Sequence, residues 1–200
     1  DLDISNGTDF YGARQEKITK LLDSASRELS AEQKTYWQNM NRKVEEPFQY
    51  GFCEGWKIII SSFELLMFPL LAVCIVTAPI FSGEYQAKTD AVILSAKYGK
   101  TKLAAAKITA SYLFSVLAFT LHILIAFGLP LAAFGFDGWD LPVQIANTAI
   151  PYPFTFLQAV LVNLGVVYLV LSAMTGLTLL LSSKMKSPYF VLIVLVPVLF

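Results

Sequence analysis

Three polar side chains interrupt long apolar runs of this sequence, and they are the first candidates for chemistry. Glu64, His122 and Asn163 each lie among aliphatic and aromatic residues. A polar or ionisable group is costly to keep in such surroundings, so it commonly marks a proton, ion or ligand site. The structural alternative gives Glu64 an ion pair with Lys57. For His122 and Asn163 it gives hydrogen bonds between helices, and we favour packing for all three.

Groups for catalysis or for holding a cofactor are missing from the sequence. The single histidine excludes most hydrolytic constellations, and no Ser/His/Asp pattern or metal-ligand spacing occurs. The phosphate-loop pattern G-x-x-x-x-G-K-[ST] does not occur either. We therefore expect a chain that is not an enzyme, with no catalytic residue, no metal and no cofactor. Any ATP must act on another polypeptide or on a further part of this one.

The composition places these residues in a membrane protein. Hydrophobic residues make up 56% of the chain and charged residues only 15%, whereas soluble domains are near half apolar and a quarter charged. The formal net charge is zero, and no patch of basic and aromatic residues indicates nucleic acid as a partner. The expected partner of the apolar surface is the lipid bilayer.

The elements that must position the polar groups are membrane-spanning helices. A span needs roughly 20 apolar residues, and three stretches meet this length, at about 58–80, 108–134 and 154–181. A fourth apolar run, 188–200, is too short and we expect it to be truncated. We also expect the first residue to follow further chain, because a polar segment of this size between spans implies an earlier span. The predicted fold is an all-α transmembrane bundle with a small extracytoplasmic helical insertion.

Lysines predict the orientation of the spans. The 81–107 loop carries five lysines and the 183–187 turn carries Lys184 and Lys186, whereas the 135–153 loop has no basic residue. Basic loops stay in the cytoplasm, so 81–107 and 183–187 should be cytoplasmic, and 1–57 and 135–153 outside the cell membrane. Trp56, Trp139 and Tyr152 fall at the outer boundaries, where aromatic belts occur.

The outward segment 1–57 has the pattern of a small helical hairpin. Ser30 and Gln33 form a capping box, and an apolar stripe of Tyr36, Met40 and Val44, with Trp37 beside it, predicts a helix that Pro47 ends. A shorter helix should precede it, at about 13–22. Because the hairpin alone buries little area, we expect it to pack on the outer end of the bundle or on a partner.

The cytoplasmic loop 81–107 is more than a polar linker. Residues 91–96 form a short apolar segment inside a charged frame, Tyr98-Gly99-Lys100 breaks it, and a helix enters the membrane again near Leu103. A short helix lying across the membrane face between two spans is a shape that receives a cytosolic partner. The structural alternative is that the lysines only set orientation and that the apolar turn is an interfacial anchor.

The order of residues in this loop resembles the permease subunits of ABC exporters of the ABC-2 class. Those subunits often carry a Glu just past the second span, a Gly-Thr-like pair, a Leu-Leu-Ser stretch, a basic break and a Lys entering the third span. Here the matching residues are Glu84, Lys88-Thr89, Ile93-Leu94-Ser95 and Lys107. Lys88 departs from the family's glycine, and Gly99-Lys100 stands where an arginine is more common. The close match covers about 25 residues.

The resemblance implies a permease subunit that works with a second permease subunit, as a homo- or heterodimer, and with cytosolic ABC ATPase subunits that bind the ATP. This chain would then hold the second to the fourth of six spans and the start of the fifth. The loop would be the coupling helix seated in a groove of the ATPase. The implied contact residues are Glu84, Tyr85, Lys88, Thr89, Asp90, Ile93, Leu94 and Lys97. Exported substrates in that family are lipids, drugs or antimicrobial peptides.

Two further hypotheses follow from the loop and the hairpin. Ile93 and Leu94 are the apolar points of a charged helix, so we expect both to insert into the ATPase. The alternative to an exporter is a membrane sensor or accessory protein whose outer hairpin binds a partner. A membrane-embedded enzyme ranks last, because catalytic groups are missing.

Overall fold

The computed structural model describes residues 10–24 and 29–199, and the parts of the predicted 1–57 segment at 1–9 and 25–28 lie outside them. The described chain is helical, and its only β-type pairing is an isolated bridge between Pro142 and Thr155. The nine α-helices of the described chain are α1 Phe10–Asp23, α2 Ala31–Asn41, α3 Glu54–Ser62, α4 Met67–Thr77, α5 Pro79–Gln86, α6 Asp90–Ser95, α7 Ala104–Phe134, α8 Phe156–Lys184 and α9 Pro188–Leu199.

Three helical stretches of the described chain are long and apolar enough to cross a membrane. They are Glu54–Gln86, Gly99–Phe134 and Phe156–Lys184, and the shorter apolar helix Pro188–Val198 follows them. The three predicted apolar runs therefore fall in helices, and each helix extends beyond its run at one end or both. The first stretch combines α3, a 3-10 turn at Phe63–Leu66, α4 and α5. Pro69 explains that turn, because its ring cannot donate to the carbonyl of Leu65 and clashes with it.

The chain divides into two compact units. The first contains residues up to 60 and residues 131–161, and the second contains residues 61–130 and 162–200. In the first unit, α1 and α2 share one core with the connection between α7 and α8, so the hairpin does not stand alone. Trp37 meets Tyr152 edge to face at 5.2 Å, and Tyr152 stacks on Phe154 at 5.5 Å.

Arg14 lies at the centre of the first unit and is 1% exposed. Its guanidinium donates to the carbonyl oxygens of Thr148 at 2.9 Å and Ile150 at 3.2 Å, and it pairs with Glu46 at 3.3 Å. Burial lowers the pKa of Arg14, and Glu46 opposes that shift. A planar side chain with five donors can hold several acceptors in one plane. Arg14 therefore joins α1 to a loop that follows it by more than a hundred residues.

The sequence prediction for α2 is right at its start and wrong at its end. The Ser30 hydroxyl accepts from the Gln33 amide while the Gln33 side chain accepts from the Ser30 amide, so the capping box is present. The helix stops at Asn41, well before Pro47. Val44 is buried from a turn after the helix, and Tyr36 is 55% exposed, so the three residues do not form one stripe.

The second unit packs α4 and α5 against α9, whose Val191 and Leu195 are fully buried. Hydroxyl groups on α8 are buried here as well. Thr178 donates to Met174 in the previous turn, and Ser182 bonds the backbone of α5. Tyr112 of α7 donates to the Ser172 carbonyl at 3.3 Å, and Thr120 meets Tyr168 at 2.6 Å. These hydroxyl groups therefore make contacts within and between the helices of this unit.

Candidate functional site

The candidate site is the segment 79–107 of the second unit, and it begins at a break in the first apolar stretch. Pro79 is the first residue of α5, and it cannot donate a hydrogen bond to the preceding turn. The next amides, those of Phe81 and Ser82, both donate to the Ser182 hydroxyl at 3.0 Å. Ser182 in turn donates to the Ala78 carbonyl at 2.6 Å. One serine of α8 thus bonds three backbone groups at the break between α4 and α5.

At its other end α5 closes in a Schellman motif. The Thr89 amide donates to the Glu84 carbonyl at 3.0 Å, and the Lys88 amide donates to the Tyr85 carbonyl at 3.1 Å. This pattern requires a left-handed residue just after the helix, and Lys88 has φ of 57°. Glycine is the usual residue there, because a side chain in this conformation costs about 1–2 kcal/mol. Lys88 is the residue that stands where the ABC-2 pattern has glycine.

The short helix α6 confirms the helix predicted inside the loop, with Asp90 in its first turn. The apolar side chains of α6 differ from one another in their exposure. Val92 is 72% exposed and Leu94 is 44% exposed, whereas Ile93 is half-buried. The insertion of Ile93 into an ATPase stays a prediction, and in this structure Ile93 lies against the turn that follows α6.

That turn is fixed by Gly99. A Cβ atom at this position would overlap the carbonyl oxygen of Ile93, so only glycine allows the backbone to approach so closely. From here the chain forms a single π-helical turn, Gly99–Leu103, in which the Leu103 amide donates to the Tyr98 carbonyl at 3.1 Å. The predicted break at 98–100 is therefore a tightly packed turn that leads directly into α7.

Glu84 and Lys107 form an ion pair between α5 and α7. The Lys107 ammonium also donates to the Ile80 carbonyl at 3.1 Å and lies 5.2 Å from the ring centre of Phe81. Both members of the pair are largely shielded, with side chains 24% and 20% exposed. The sequence singled out both residues but did not predict that they meet.

A pocket of about 150 Å³ lies between α6 and the helices on either side of it. Its wall combines the Glu84–Lys107 pair with Asp90, Ile93 and Leu94. Tyr85 lines the same pocket and is 37% exposed. Of the eight predicted contact residues, the structure brings five together here: Glu84, Tyr85, Asp90, Ile93 and Leu94.

The other three predicted contact residues, Lys88, Thr89 and Lys97, are exposed on the turns at the two ends of α6. Lys97 and Lys102 both lie against Tyr98, with ammonium-to-ring distances of 5.4 and 4.4 Å. Lys100 is exposed in the same turn.

The three polar residues of the apolar stretches do not meet one another in a site. Glu64 is exposed in the 3-10 turn, and the proposed partner Lys57 bonds Glu54 at 2.8 Å. His122 is exposed beside an apolar groove of about 210 Å³ that Pro69, Val73 and Phe119 also line. Asn163 is exposed on α8, and it is not without an interaction partner.

The three aromatic residues predicted at the outer membrane boundary differ in their exposure. Trp56 is buried and donates its indole N–H to the Phe136 carbonyl at 3.1 Å, so it does not face the surroundings. Tyr152 is half-buried in the stack described above, and Trp139 is 52% exposed as expected. Gly138 allows the chain to pass close to Phe52, since its φ is 88° and a Cβ would lie 2.5 Å from the Phe52 carbonyl oxygen. Phe52 and Phe136 are among the exposed aromatic residues of the first unit that the prediction did not name.

Ser182 is the residue of the candidate site that the sequence did not reveal. A serine near the end of an apolar helix is common, and its partners lie about a hundred residues earlier in the chain. The one available signal was Pro79, because a proline commonly begins a helix, and the first amides of a helix need acceptors from elsewhere.

Comparisons of the chain with protein-family models, with curated proteins and with solved structures found no match.

Proposed function

We propose that this chain is a transmembrane permease part of an ATP-driven exporter of the ABC-2 type. It would act as a homo- or heterodimer with a second permease subunit and with separate cytosolic ATPase subunits. The residue pattern of 84–107 is the source of this proposal, and the local structure gives it physical support. The substrate class stays as the resemblance has it: a lipid, a drug or an antimicrobial peptide.

The proposed arrangement is a multi-pass helical bundle in the cell membrane. The three long apolar helices support the spans, and the lysine distribution supports the orientation. Residues 81–107 and 183–187 would lie in the cytoplasm, and residues 1–57 and 135–153 outside. The cytoplasmic loop is then the part of the described chain that a cytosolic ATPase can reach.

The observation that carries the proposal is the way α6 is held. A Schellman turn attaches it to α5, and the Gly99 turn attaches it to α7, so no flexible linker separates it from either apolar helix. Its exposed tip presents Val92 and Leu94. Exposed apolar side chains on a polar surface are typical of a protein-binding site. A short, firmly attached helix with an apolar tip fits a coupling element.

Three positions of the ABC-2 pattern have structural roles in this chain that depend on the residue type. The glycine of the Gly-Thr pair would occupy the left-handed position that Lys88 has here. The acidic residue and the final lysine of the pattern form the Glu84–Lys107 pair. These roles support the resemblance independently of the letters of the sequence.

The same contacts outline a mechanism. Closure of two ATPases would displace α6, and the motion would pass to α5 through the Schellman turn and to α7 through the Gly99 turn. The Glu84–Lys107 pair would keep the two helices moving together. Packed helices have a few alternative arrangements, so a displacement of this kind can change the bundle as a whole. Substrate would leave through the interface between the two permease subunits.

The test is co-purification of the full-length protein with its ATPase from mild detergent. We expect an ATPase to accompany the wild type, and we expect Val92→Asp with Leu94→Asp to reduce its retention at least tenfold. Two charges placed in an apolar contact would remain desolvated and unpaired. The matched control places aspartate at Gln86 and Ser183, which are exposed positions outside α6.

Retention of the ATPase should be unchanged in the control, and both variants should remain monodisperse. Equal retention by wild type and the α6 variant would contradict the role of α6. Failure of any ATPase to accompany the wild type, with or without nucleotide, would favour the sensor or accessory protein over the exporter.

A further inference from the structure

We propose that the turn formed by Lys97, Tyr98, Lys100 and Lys102 binds the headgroups of anionic phospholipids. We refer to these four residues as the lysine turn. The inference rests on the proposed orientation of the spans, because it requires this turn to lie at the cytoplasmic membrane surface.

Charge is the first observation. Between Glu84 and Lys107, which neutralise each other, the segment contains four exposed lysines and one acidic residue, Asp90. Asp90 lines the pocket beside α6, and it is not among the ion pairs of the described residues. The lysine turn therefore presents positive charge without an acidic partner of its own. Such a surface attracts anions rather than apolar or basic groups.

The geometry of Tyr98 organises these charges. The ammonium groups of Lys97 and Lys102 lie 5.4 and 4.4 Å from the centre of its ring, within the range of cation–π attraction. The ring is 49% exposed, so it holds two positive groups while leaving a face to the surroundings. Lysines gathered around one ring lose less freedom on binding an anion than lysines on a mobile loop.

The backbone under the lysine turn is also fixed. Gly99 is buried against the Ile93 carbonyl, and the π-helical turn holds the Leu103 amide on the Tyr98 carbonyl. Single π turns within helices frequently occur at functional positions. Here the turn places Lys100 and Lys102 immediately before an apolar helix of 31 residues.

Distance from the membrane favours a lipid as the ligand. Lys102 precedes Ile108, the first large apolar residue after the paired Lys107, by six positions, or about 9 Å of helix. This is close to the Debye length of about 8 Å at physiological salt, and a lysine side chain extends several ångströms further. Headgroup charges therefore lie within reach of Lys102. The apolar side chains that suit a protein partner are on α6, so the two halves of the loop have separate ligands.

The experiment is native mass spectrometry of the full-length protein released from nanodiscs of phosphatidylcholine with a minor fraction of phosphatidylglycerol. We expect the wild type to retain phosphatidylglycerol well above its share of the bilayer, and less of it at high salt. The triple variant Lys97→Gln, Lys100→Gln, Lys102→Gln should lose that preference. Each lysine near an anionic surface contributes about fivefold in affinity, so the combined loss should be about 100-fold.

The control removes three exposed or half-exposed lysines of the first unit, as Lys20→Gln, Lys34→Gln, Lys43→Gln. It should retain phosphatidylglycerol as the wild type does. Tyr98→Ala should reduce retention about two- to fivefold, and Tyr98→Phe should restore it, because the ring face and not the hydroxyl holds the lysines. Equal retention by the triple variant and the wild type would overturn the proposal, and so would an equal loss in the control.

The same samples separate this inference from the proposed function. The double variant Lys100→Gln, Lys102→Gln, which keeps the implied ATPase contact Lys97, should still retain the ATPase. In contrast, Val92→Asp with Leu94→Asp should lose the ATPase and still retain phosphatidylglycerol. If no ATPase binds to any variant, the exporter assignment fails, but the retention of phosphatidylglycerol can still be compared between the variants. A lipid preference that is absent from the wild type overturns the lysine turn alone.

Discussion

Arg14 in the first unit and Ser182 in the second are both fully buried polar side chains, and their partners show how the two units differ. Arg14 donates hydrogen bonds to loop carbonyls and to a carboxylate, and its guanidinium lies 5.3 Å from the ring centre of Phe48. Ser182 bonds backbone groups around the start of α5 and, at 3.4 Å, the Ser82 hydroxyl. The first unit is thus held by one charged group with many partners, and the second by small hydroxyls at helix contacts.

The difference follows from what each backbone leaves unsatisfied. The connection at 141–155 in the first unit is mostly non-helical, so its carbonyls need donors from elsewhere, and a long arginine can reach several of them. In the second unit the helices satisfy most of their own backbone groups, and Pro79 marks a break in that pattern. A single short hydroxyl is enough at such a break, and it avoids bringing a charge into apolar surroundings.

The largest effect should come from removing the charged centre of the first unit. Arg14→Ala leaves buried carbonyls without a donor and creates a cavity, which together should cost about 3 kcal/mol. Arg14→Lys keeps the charge but cannot bond both carbonyls, so it should cost about half as much. Hydrogen exchange should rise in 141–155 and stay unchanged in α5. Equal stability of wild type and Arg14→Ala in thermal denaturation would break the comparison.

A smaller effect should follow from removing the hydroxyl in the second unit. Ser182→Ala leaves the amides of Phe81 and Ser82 without an acceptor, at a cost of about 2 kcal/mol. Faster hydrogen exchange at these two amides is the measurement. Ser183→Ala is the matched control, since that exposed hydroxyl bonds only the Leu180 carbonyl, and it should change stability by less than about 0.5 kcal/mol. Comparable exchange in the two variants would show that Ser182 is not the capping group.

The smallest effect should be an increase in stability, and it concerns the end of α5 in the second unit. Lys88→Gly removes a side chain from the left-handed position, which stabilises the folded state. Glycine also raises the conformational entropy of the unfolded chain, so the free energy of unfolding should rise by only about 0.5 kcal/mol. Lys88→Ala keeps the unfavourable conformation and should show no gain. A melting temperature that falls in the glycine variant would contradict the Schellman geometry at the end of α5.

Several local patterns were read correctly, although the spacing of Tyr36, Met40 and Val44 wrongly extended α2 beyond Asn41. The capping box at Ser30, the short α6 and the three long apolar helices depend on side chains a few positions apart. The half-burial of Ile93 could not be read from its neighbours in the chain, because it depends on the Gly99 turn that packs against it. Val44 and Trp56 were misplaced similarly, since their burial comes from a turn and from a distant loop.

What the sequence by itself determined about this protein is the apolar character and length of its helices, because burial of apolar side chains follows from their own chemistry and spacing. It also determined that one helical hydrogen bond is missing at Pro79, because proline has no backbone N–H. Only the tertiary structure decided which polar groups, distant in the chain, become hydrogen-bond or ion-pair partners. Arg14 meets carbonyls 134 and 136 residues later, Ser182 meets amides about a hundred residues earlier, and Lys107 meets Glu84. A backbone carbonyl or amide is the same in every residue type, so no letter of the sequence marks it as a partner.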